Sequence, residues 1–284
     1  MTYSRVAFFF LVTFIFAGCN KEKWFCSDCI EFDFNGTERQ YLIHVPENIQ
    51  PNAPLLFALH GYTGYAKHVD DALELNELAD ANGFVVCYPQ GSLDDSRTPH
   101  WNARLDLSTT DDIGFLSALA ISLQSQYNLN PNSTFACGIS NGGFMSYTLV
   151  AEAPQVFKGA ASVVGTMSGY TWENRNIIPP TPILQISGTN DNIVPYDGTM
   201  TMENGWGGAP HIHTVIDFWK TLNACTTSDT ISVSDVTTAY KHSNGIDDNA
   251  VWYYEVEGMG HIVPSGDPHG IHAGELIWEF FSNN

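Results

Sequence analysis

A helix-flanked, mainly parallel α/β sheet is the fold this sequence predicts, and two observations predict it. Short, near-continuous apolar runs recur along the chain: "PLLFALHG", "GFVVCYPQG", "STFACGIS" and "TPILQISGT". Strands buried on both faces of a parallel sheet read this way, because neither face needs polar residues. Helical patterns lie between these runs, and strand-helix-strand alternation is how a parallel crossover appears in sequence. With 284 residues, 44% of them hydrophobic, the chain has material for one large core, so a single domain over residues 30–284 is expected.

Taken in order, residues 1–18 carry one positive charge at Arg5 and then the apolar run "VAFFFLVTFIFAG". That run is too short to stay in a membrane and reads as a signal peptide. Phe16, Ala17 and Gly18 before Cys19 are similar to a bacterial lipobox. Cys19 would then be the lipidated first residue of the mature chain, and residues 19–29 a tether to the cell envelope at the outer membrane or cell surface. Without lipidation the product would be secreted. "IEFDFNGTERQYLIHVP" reads as an antiparallel hairpin turning at Asn35-Gly36, a dipeptide that accepts positive φ. "HVDDALELNELADAN" reads as one helix stopped by Gly83, and "TTDDIGFLSALAISLQSQY" as another whose Thr and Asp residues cap its free N–H groups. "VWYYEVEG" is a late strand and "GELIWEFF" a closing helix. No repeat or low-complexity linker interrupts the pattern.

The formal charge is -20, and loss of residues 1–18 removes Arg5 and no acid. Such a surface disfavours nucleic acid as a partner and leaves a membrane reachable only through the lipid anchor. A monomer is expected. Beyond Cys19 stand Cys26, Cys29, Cys87, Cys137 and Cys225. Five is odd, so at least one is free. "CSDC" has no second Cys or His pair at a matching spacing for zinc, and a disulfide to Cys225, or no special role, is expected of it.

Reactive groups in an open parallel sheet gather at the carboxyl ends of its strands. Four such ends carry chemistry here. "STFACGIS" runs into the helical "NGGFMSYTLVAEA", so Gly138-Ile139-Ser140-Asn141-Gly142 fits G-x-S-x-G in the strand-turn-helix setting that a nucleophilic serine requires. Asp191 follows "TPILQISG" and can orient a histidine, with Asp197 as the fallback acid. His261 follows "VWYYEVEG" in "EGMGHIVPSG", and of ten histidines it alone combines a strand end with a place after the acid. The order Ser140, Asp191, His261 is that of an α/β-hydrolase triad. "LHGYTG" after the first of the four apolar strands supplies an oxyanion loop: Tyr62 N–H, with Thr63 as the alternative, would join Asn141 N–H. His60 sits too early in that turn to reach Ser140 and reads as structural. His211 and His213 form an H-x-H pair without a third ligand, and His269 and His272 read as surface residues. No cofactor and no metal is called for.

"LHGYTG", "YPQG", "HWN", "DDIGFLSAL", "GISNGG", "GTNDNIVPYDG", "FWKTLNAC" and "GMGHIVP", in this order, resemble secreted esterases grouped as poly(3-hydroxybutyrate) depolymerase-like and feruloyl esterase-like, within carbohydrate esterase family one. The likeness runs from about Arg39 to Phe281. It implies an α/β-hydrolase fold, a Ser140-Asp191-His261 acyl-enzyme mechanism, and a feruloyl, acetyl or hydroxyalkanoate ester as substrate. Under it, Trp101 and Trp206 become candidate pocket residues, since aromatic faces suit a phenolic acid, a sugar ring or a polyester segment. Asp111 and Asp112 match the family's acidic pair and read as helix caps. The lipobox and "CSDC" depart from the family's pattern. Two rival functions are a serine peptidase of the prolyl oligopeptidase kind, for which the chain has no room for a gating domain, and a lipid-tethered carbohydrate-binding protein without catalysis.

Overall fold

The computed structural model describes residues 28–284; the expected signal peptide, Cys19 and Cys26 lie outside the described residues. β1 (Ile30–Phe34) and β2 (Thr37–His44) form the expected hairpin, with Asn35 and Gly36 at φ 54° and 78°. β3 (Leu55–Leu59), α1 (Lys67–Leu73), α2 (Leu75–Asn82) and β4 (Val85–Gln90) follow, and a small ladder pairs β5 (Ser92–Leu93) with β6 (Pro99–His100). Next come α3 (Asp112–Tyr127), β7 (Thr134–Ile139), α4 (Asn141–Glu152), β8 (Ala160–Val163), α5 (Gly169–Glu173) and β9 (Ile183–Gly188). The chain then forms α6 (Ile212–Leu222), β10 (Thr227–Ser232), β11 (Thr237–Ser243) and β12 (Val251–Val256). A second small ladder of β13 (Ser265–Gly266) with β14 (Ile271–His272) precedes α7 (Ala273–Ser282).

Ten strands make one sheet in the order β1-β2-β4-β3-β7-β8-β9-β12-β11-β10. The run from β4 to β12 is parallel throughout, and an antiparallel hairpin extends it at each edge. β3 shows why its sequence is apolar at every position. Leu55, Phe57 and Leu59 enter one core cluster with residues of α3, α4 and α6, while Leu56 and Ala58 enter the other with residues of α1, α2 and α7. Successive side chains point to opposite faces, and both faces are covered by helices.

Three features depart from the sequence expectation. The segment read as one helix is broken at Glu74, which takes φ 53° and donates its N–H to Asp70 O. The Asp70 carboxylate then accepts from Asn76 N at 3.0 Å and Asn76 Nδ2 at 2.6 Å, so one side chain caps the second helix across the break. A second hairpin, β10 with β11, widens the sheet at the far edge. The disulfide expected between "CSDC" and Cys225 is not formed: Cys29 is disulfide-bonded, whereas Cys87, Cys137 and Cys225 are free thiols. Burial pushes the Cys87 and Cys137 thiols up, away from the reactive thiolate.

Candidate active site

Ser140 lies on the one-residue turn from β7 into α4, at φ 54° and ψ -116°. A non-glycine residue held there stores strain that only its surroundings can maintain. Those surroundings are crowded backbone: a Cβ at Gly138 would overlap the Gly142 main chain, and one at Gly142 would overlap Leu59 O. Both glycines are therefore required by closeness of approach. Ser140 N donates to Val163 O at 2.8 Å, tying the turn to the end of β8. Asn141 is the first residue of α4, so its N–H belongs to the first turn of helical donors that lack an intrahelical acceptor.

The acid and the histidine meet two strands away. Asp191 follows β9, is 5% exposed, and accepts from Ile193 N and Val194 N through Oδ1, each at 2.9 Å. Its Oδ2 accepts from His261 Nδ1 at 2.7 Å. The two loops are laced together besides: Asn190 N donates to Met259 O at 3.0 Å, Gly258 N donates to Thr189 Oγ1 at 2.9 Å, and a Cβ at Gly188 would overlap Met259 O. This arrangement fixes Nδ1 as the protonated nitrogen and leaves the lone pair of Nε2 free to accept a proton. Among the described residues, neither Nε2 nor the Ser140 hydroxyl makes a hydrogen bond. Asp197, the fallback acid, is taken up in its own turn, where Oδ1 accepts from Thr199 N and Thr199 Oγ1.

The loop after β3 lies against the elbow, since a Cβ placed on Gly61 would stand in van der Waals contact with Ser140 Cβ and Ile139 O. Thr63 N–H donates to Pro99 O at 2.9 Å, which removes it as a free donor, while Tyr62 N–H has no acceptor among the described residues. Tyr62 is pinned through its side chain, whose hydroxyl donates to Asp94 Oδ2 at 2.7 Å. Asp94 Oδ1 in turn accepts from Ser96 N and Thr98 N, so this aspartate, which the sequence reading passed over, organises the loop beside Tyr62. An aspartate followed at short range by Ser and Thr is the kind of turn signal that could have found it.

The two tryptophans part company. Trp206 is half-buried and packs edge-on against Tyr62 at 5.9 Å and Phe144 at 5.2 Å, beside the elbow. Trp101 is 0% exposed, so its expected place in a substrate pocket is corrected: its ring lies on His60 at 4.9 Å and its Nε1 donates to His60 O at 3.0 Å. His60 is a buried structural residue, donating from Nδ1 to Gly61 O and accepting at Nε2 from Gly91 N. Burial brings its pKa down to about 4. Asp111 caps α3 through Gly114 N, whereas Asp112 is more than a cap: it forms a buried ion pair with Arg39 at 2.7 Å and accepts from Asn102 N. His211 caps α6 by accepting from His213 N, and His213 pairs with Glu255 at 3.0 Å. No group of three or more His, Cys, Asp or Glu among the described residues could hold a metal ion.

Residues 73–179 match the prolyl oligopeptidase family, a span that contains the Ser140 elbow and stops before Asp191 and His261. The chain is 32% identical over 147 residues to feruloyl esterase B of Thermothelomyces thermophilus, covering 49% of this chain and 48% of that protein. It is 30% identical over 157 residues to an acetylxylan esterase of Coprinopsis cinerea, covering 53% of this chain and 41% of that one. A poly(3-hydroxyalkanoate) depolymerase C of Paucimonas lemoignei is 26% identical over 167 residues, 58% of this chain and 40% of the other. The chain thus spans about half or less of the length of these curated relatives. Among solved structures, the acetyl xylan esterase from Aspergillus awamori superposes with a TM-score of 0.65 at 16% identity, over 90% of this chain and 99% of that one. A Bacillus cereus carboxylesterase superposes with a TM-score of 0.56 at 16% identity, over 87% and 95%. The sheet order and these superpositions make the fold that of the α/β-hydrolases.

Proposed function

We propose that the chain is an exported serine carboxylic-ester hydrolase working through Ser140, His261 and Asp191. The observation that carries this reading is the 2.7 Å bond from His261 Nδ1 to Asp191 Oδ2, after the carboxyl ends of β12 and β9, parallel to β7, whose carboxyl end carries the strained Ser140 elbow. His261 Nε2 takes the Ser140 hydroxyl proton as Oγ attacks the ester carbonyl. The contact between them tightens when substrate enters. Negative charge on the carbonyl oxygen is met by Asn141 N–H and Tyr62 N–H, and collapse expels the alcohol, protonated by His261. Water, activated by the same imidazole, releases the acid from the acyl-enzyme. Feruloyl or acetyl esters of plant polysaccharide and hydroxyalkanoate polyester or oligomers are the proposed substrates, with Trp206 and Tyr62 beside the reacting carbonyl. The names of the curated relatives support this range. Residues 1–18 are the proposed signal peptide and Cys19 the proposed lipid anchor, with residues 30–284 as one catalytic domain.

The test is hydrolysis of p-nitrophenyl acetate followed by a panel of methyl ferulate, acetylated xylan and hydroxybutyrate oligomers. Activity that vanishes in Ser140→Ala, together with fluorophosphonate labelling of the wild type only, is the expected result. Full activity in Ser140→Ala would end the reading. The match to the prolyl oligopeptidase family favours a second reading, peptide hydrolysis by the same three residues. Cleavage of peptide substrates without ester cleavage would make it the better one.

A further inference from the structure

Asn141 contributes more than a backbone N–H. Its side chain is 0% exposed and holds the main chain of Trp101 at both ends: Oδ1 accepts from Trp101 N at 2.7 Å, and Nδ2 donates to Trp101 O at 3.0 Å. The Trp101 indole then donates from Nε1 to His60 O at 3.0 Å. His60 O belongs to the peptide bond that joins His60 to Gly61, and Tyr62 is the next residue. The His60 ring is fixed in turn by Gly91 N at 2.9 Å and Gly61 O at 2.8 Å. A continuous line of buried hydrogen bonds therefore joins the helix that presents one proposed oxyanion donor to the loop that presents the other.

Resting on the ester-hydrolase reading above, we infer that Trp101 and the Asn141 side chain are positioning residues that set the separation of the two oxyanion donors, Asn141 N–H and Tyr62 N–H. Two features require such a device. The donors sit on separate elements, α4 and the loop after β3, that no ladder hydrogen bond unites. Tyr62 is also 37% exposed, with its hydroxyl bound to Asp94 on a different loop, so the inner side of its turn needs its own anchor. Trp101 supplies that anchor from a fully buried position. Buried hydrogen-bonded networks of this kind are rigid when every member is satisfied, and here the indole N–H and both ends of the Asn141 amide have partners. A small displacement of either donor weakens the transition state more than the ground state, since the oxyanion exists only in the former.

The experiment compares Trp101→Phe, which keeps an aromatic ring but deletes the indole donor, with Asn141→Asp, which keeps the backbone N–H but turns the Nδ2 donor into a second acceptor facing Trp101 O. Each is assayed on p-nitrophenyl acetate, with far-UV circular dichroism and thermal unfolding to verify the fold. A fall in kcat of about 10- to 100-fold with KM within about twofold is expected, as for a misplacement of about 1 Å. The pH profile of Trp101→Phe should keep its shape, because that change adds no titratable group and leaves His261 and Asp191 untouched. Binding of a trifluoromethyl ketone, which forms a tetrahedral adduct on the serine, should weaken in parallel with kcat. Because Trp101→Phe leaves a cavity, Trp101 is also replaced by its benzothiophene analogue, with sulfur in place of the N–H and nearly the same volume. Unchanged kcat in that folded protein would overturn the positioning role while leaving the ester-hydrolase reading intact. An inactive wild type would overturn both.

Discussion

Asp191 spends its two carboxylate oxygens differently: Oδ1 is held by two backbone N–H groups of its own turn, and Oδ2 accepts from His261 Nδ1 at 2.7 Å. The carboxylate is thus fixed before it meets the imidazole, and it dictates which ring nitrogen carries the proton. Asp191→Asn should preserve the turn's shape while allowing an amide N–H to face Nδ1, which places the proton on Nε2, where it blocks base catalysis. Steady-state assays on p-nitrophenyl acetate should show kcat lower by about 10⁴-fold, by analogy with the corresponding change in a Ser-His-Asp protease. Asp197→Asn should lie within about twofold of wild type, since that side chain caps its own turn. The reverse ranking would reassign the acid.

Behind the elbow, the Ser162 hydroxyl is buried with no hydrogen-bond partner among the described residues and stands where a side chain at Gly143 or Gly165 would collide with it. An unpaired buried hydroxyl is unfavourable by about 1–3 kcal/mol. Ser162→Ala should therefore leave stability unchanged or raise it by about 1 kcal/mol in urea unfolding, with activity retained. Gly142→Ala is expected to do the opposite: its methyl group would collide with Leu59 O, and the elbow cannot retreat without moving Ser140. Loss of fluorophosphonate labelling in Gly142→Ala, beside normal labelling in Ser162→Ala, would separate the two effects.

The legible part of this fold was what burial writes plainly. The strands Leu55–Leu59, Val85–Gln90 and Ile183–Gly188 are buried at every position and mostly apolar because both faces are covered. β10 is different: it forms the sheet edge and is exposed along almost its whole length, so its "TSDTIS" carries no apolar period. β11 alternates only at its start, and its buried positions, Thr237, Ala239 and His242, are too mixed to stand out as a core face. β8 has four small, fully buried residues, too few for a periodic signal. The helix break at Glu74 depended on Asp70 reaching Asn76, a local capping contact hidden within a pattern that is helical on both sides. At the site, Asp191 and His261 were legible because loops after neighbouring parallel strands must converge. Trp101 was misread because a tryptophan in a loop near an active site says nothing of whether its ring faces solvent or core. Asp94 left only a short turn signal, its spacing to Ser96 and Thr98, and the amide of Asn141 acts through a contact with the Trp101 main chain that no residue spacing encodes.

Arg39 and Asp112 form an ion pair at 2.7 Å with both side chains nearly inaccessible, and Arg39 also stacks over Phe115 at 3.9 Å. The pair joins β2 to the start of α3, and through Asn102 N to the loop that carries Trp101. Removing one partner leaves the other charge buried and unpaired, so Asp112→Ala should lower stability by about 3–5 kcal/mol. The double variant Arg39→Met with Asp112→Leu should recover most of that loss, because no charge is then left without a partner. Urea unfolding of the three proteins measures it. A double variant no more stable than the single one would show that the pair specifies local structure beyond its charge.

His60 makes the fold acid-sensitive in a defined window. Desolvation of its buried ring, with minor help from nearby positive groups, lowers its pKa from 6.5 to about 4. The folded state therefore holds the ring neutral while the unfolded chain takes up a proton as soon as pH falls below 6.5. Below that point the unfolded state binds more protons, so stability declines with falling pH and the decline ends near pH 4, where the folded protein protonates too. The stabilisation is fully present above pH 6.5 and amounts to about 3 kcal/mol across the window. His60→Gln should be less stable than wild type at pH 7.5, because the hydrogen bond from Gly91 N is disturbed. Its stability should depend less on pH, so the gap between the two proteins narrows by about 3 kcal/mol between pH 7 and pH 4 in urea unfolding. Parallel curves for the two proteins would show that His60 does not titrate differently on folding. Nitrogen chemical shifts of the ring give an independent check, since a buried neutral imidazole at pH 5 keeps its Nδ1 protonated and its Nε2 free of a proton.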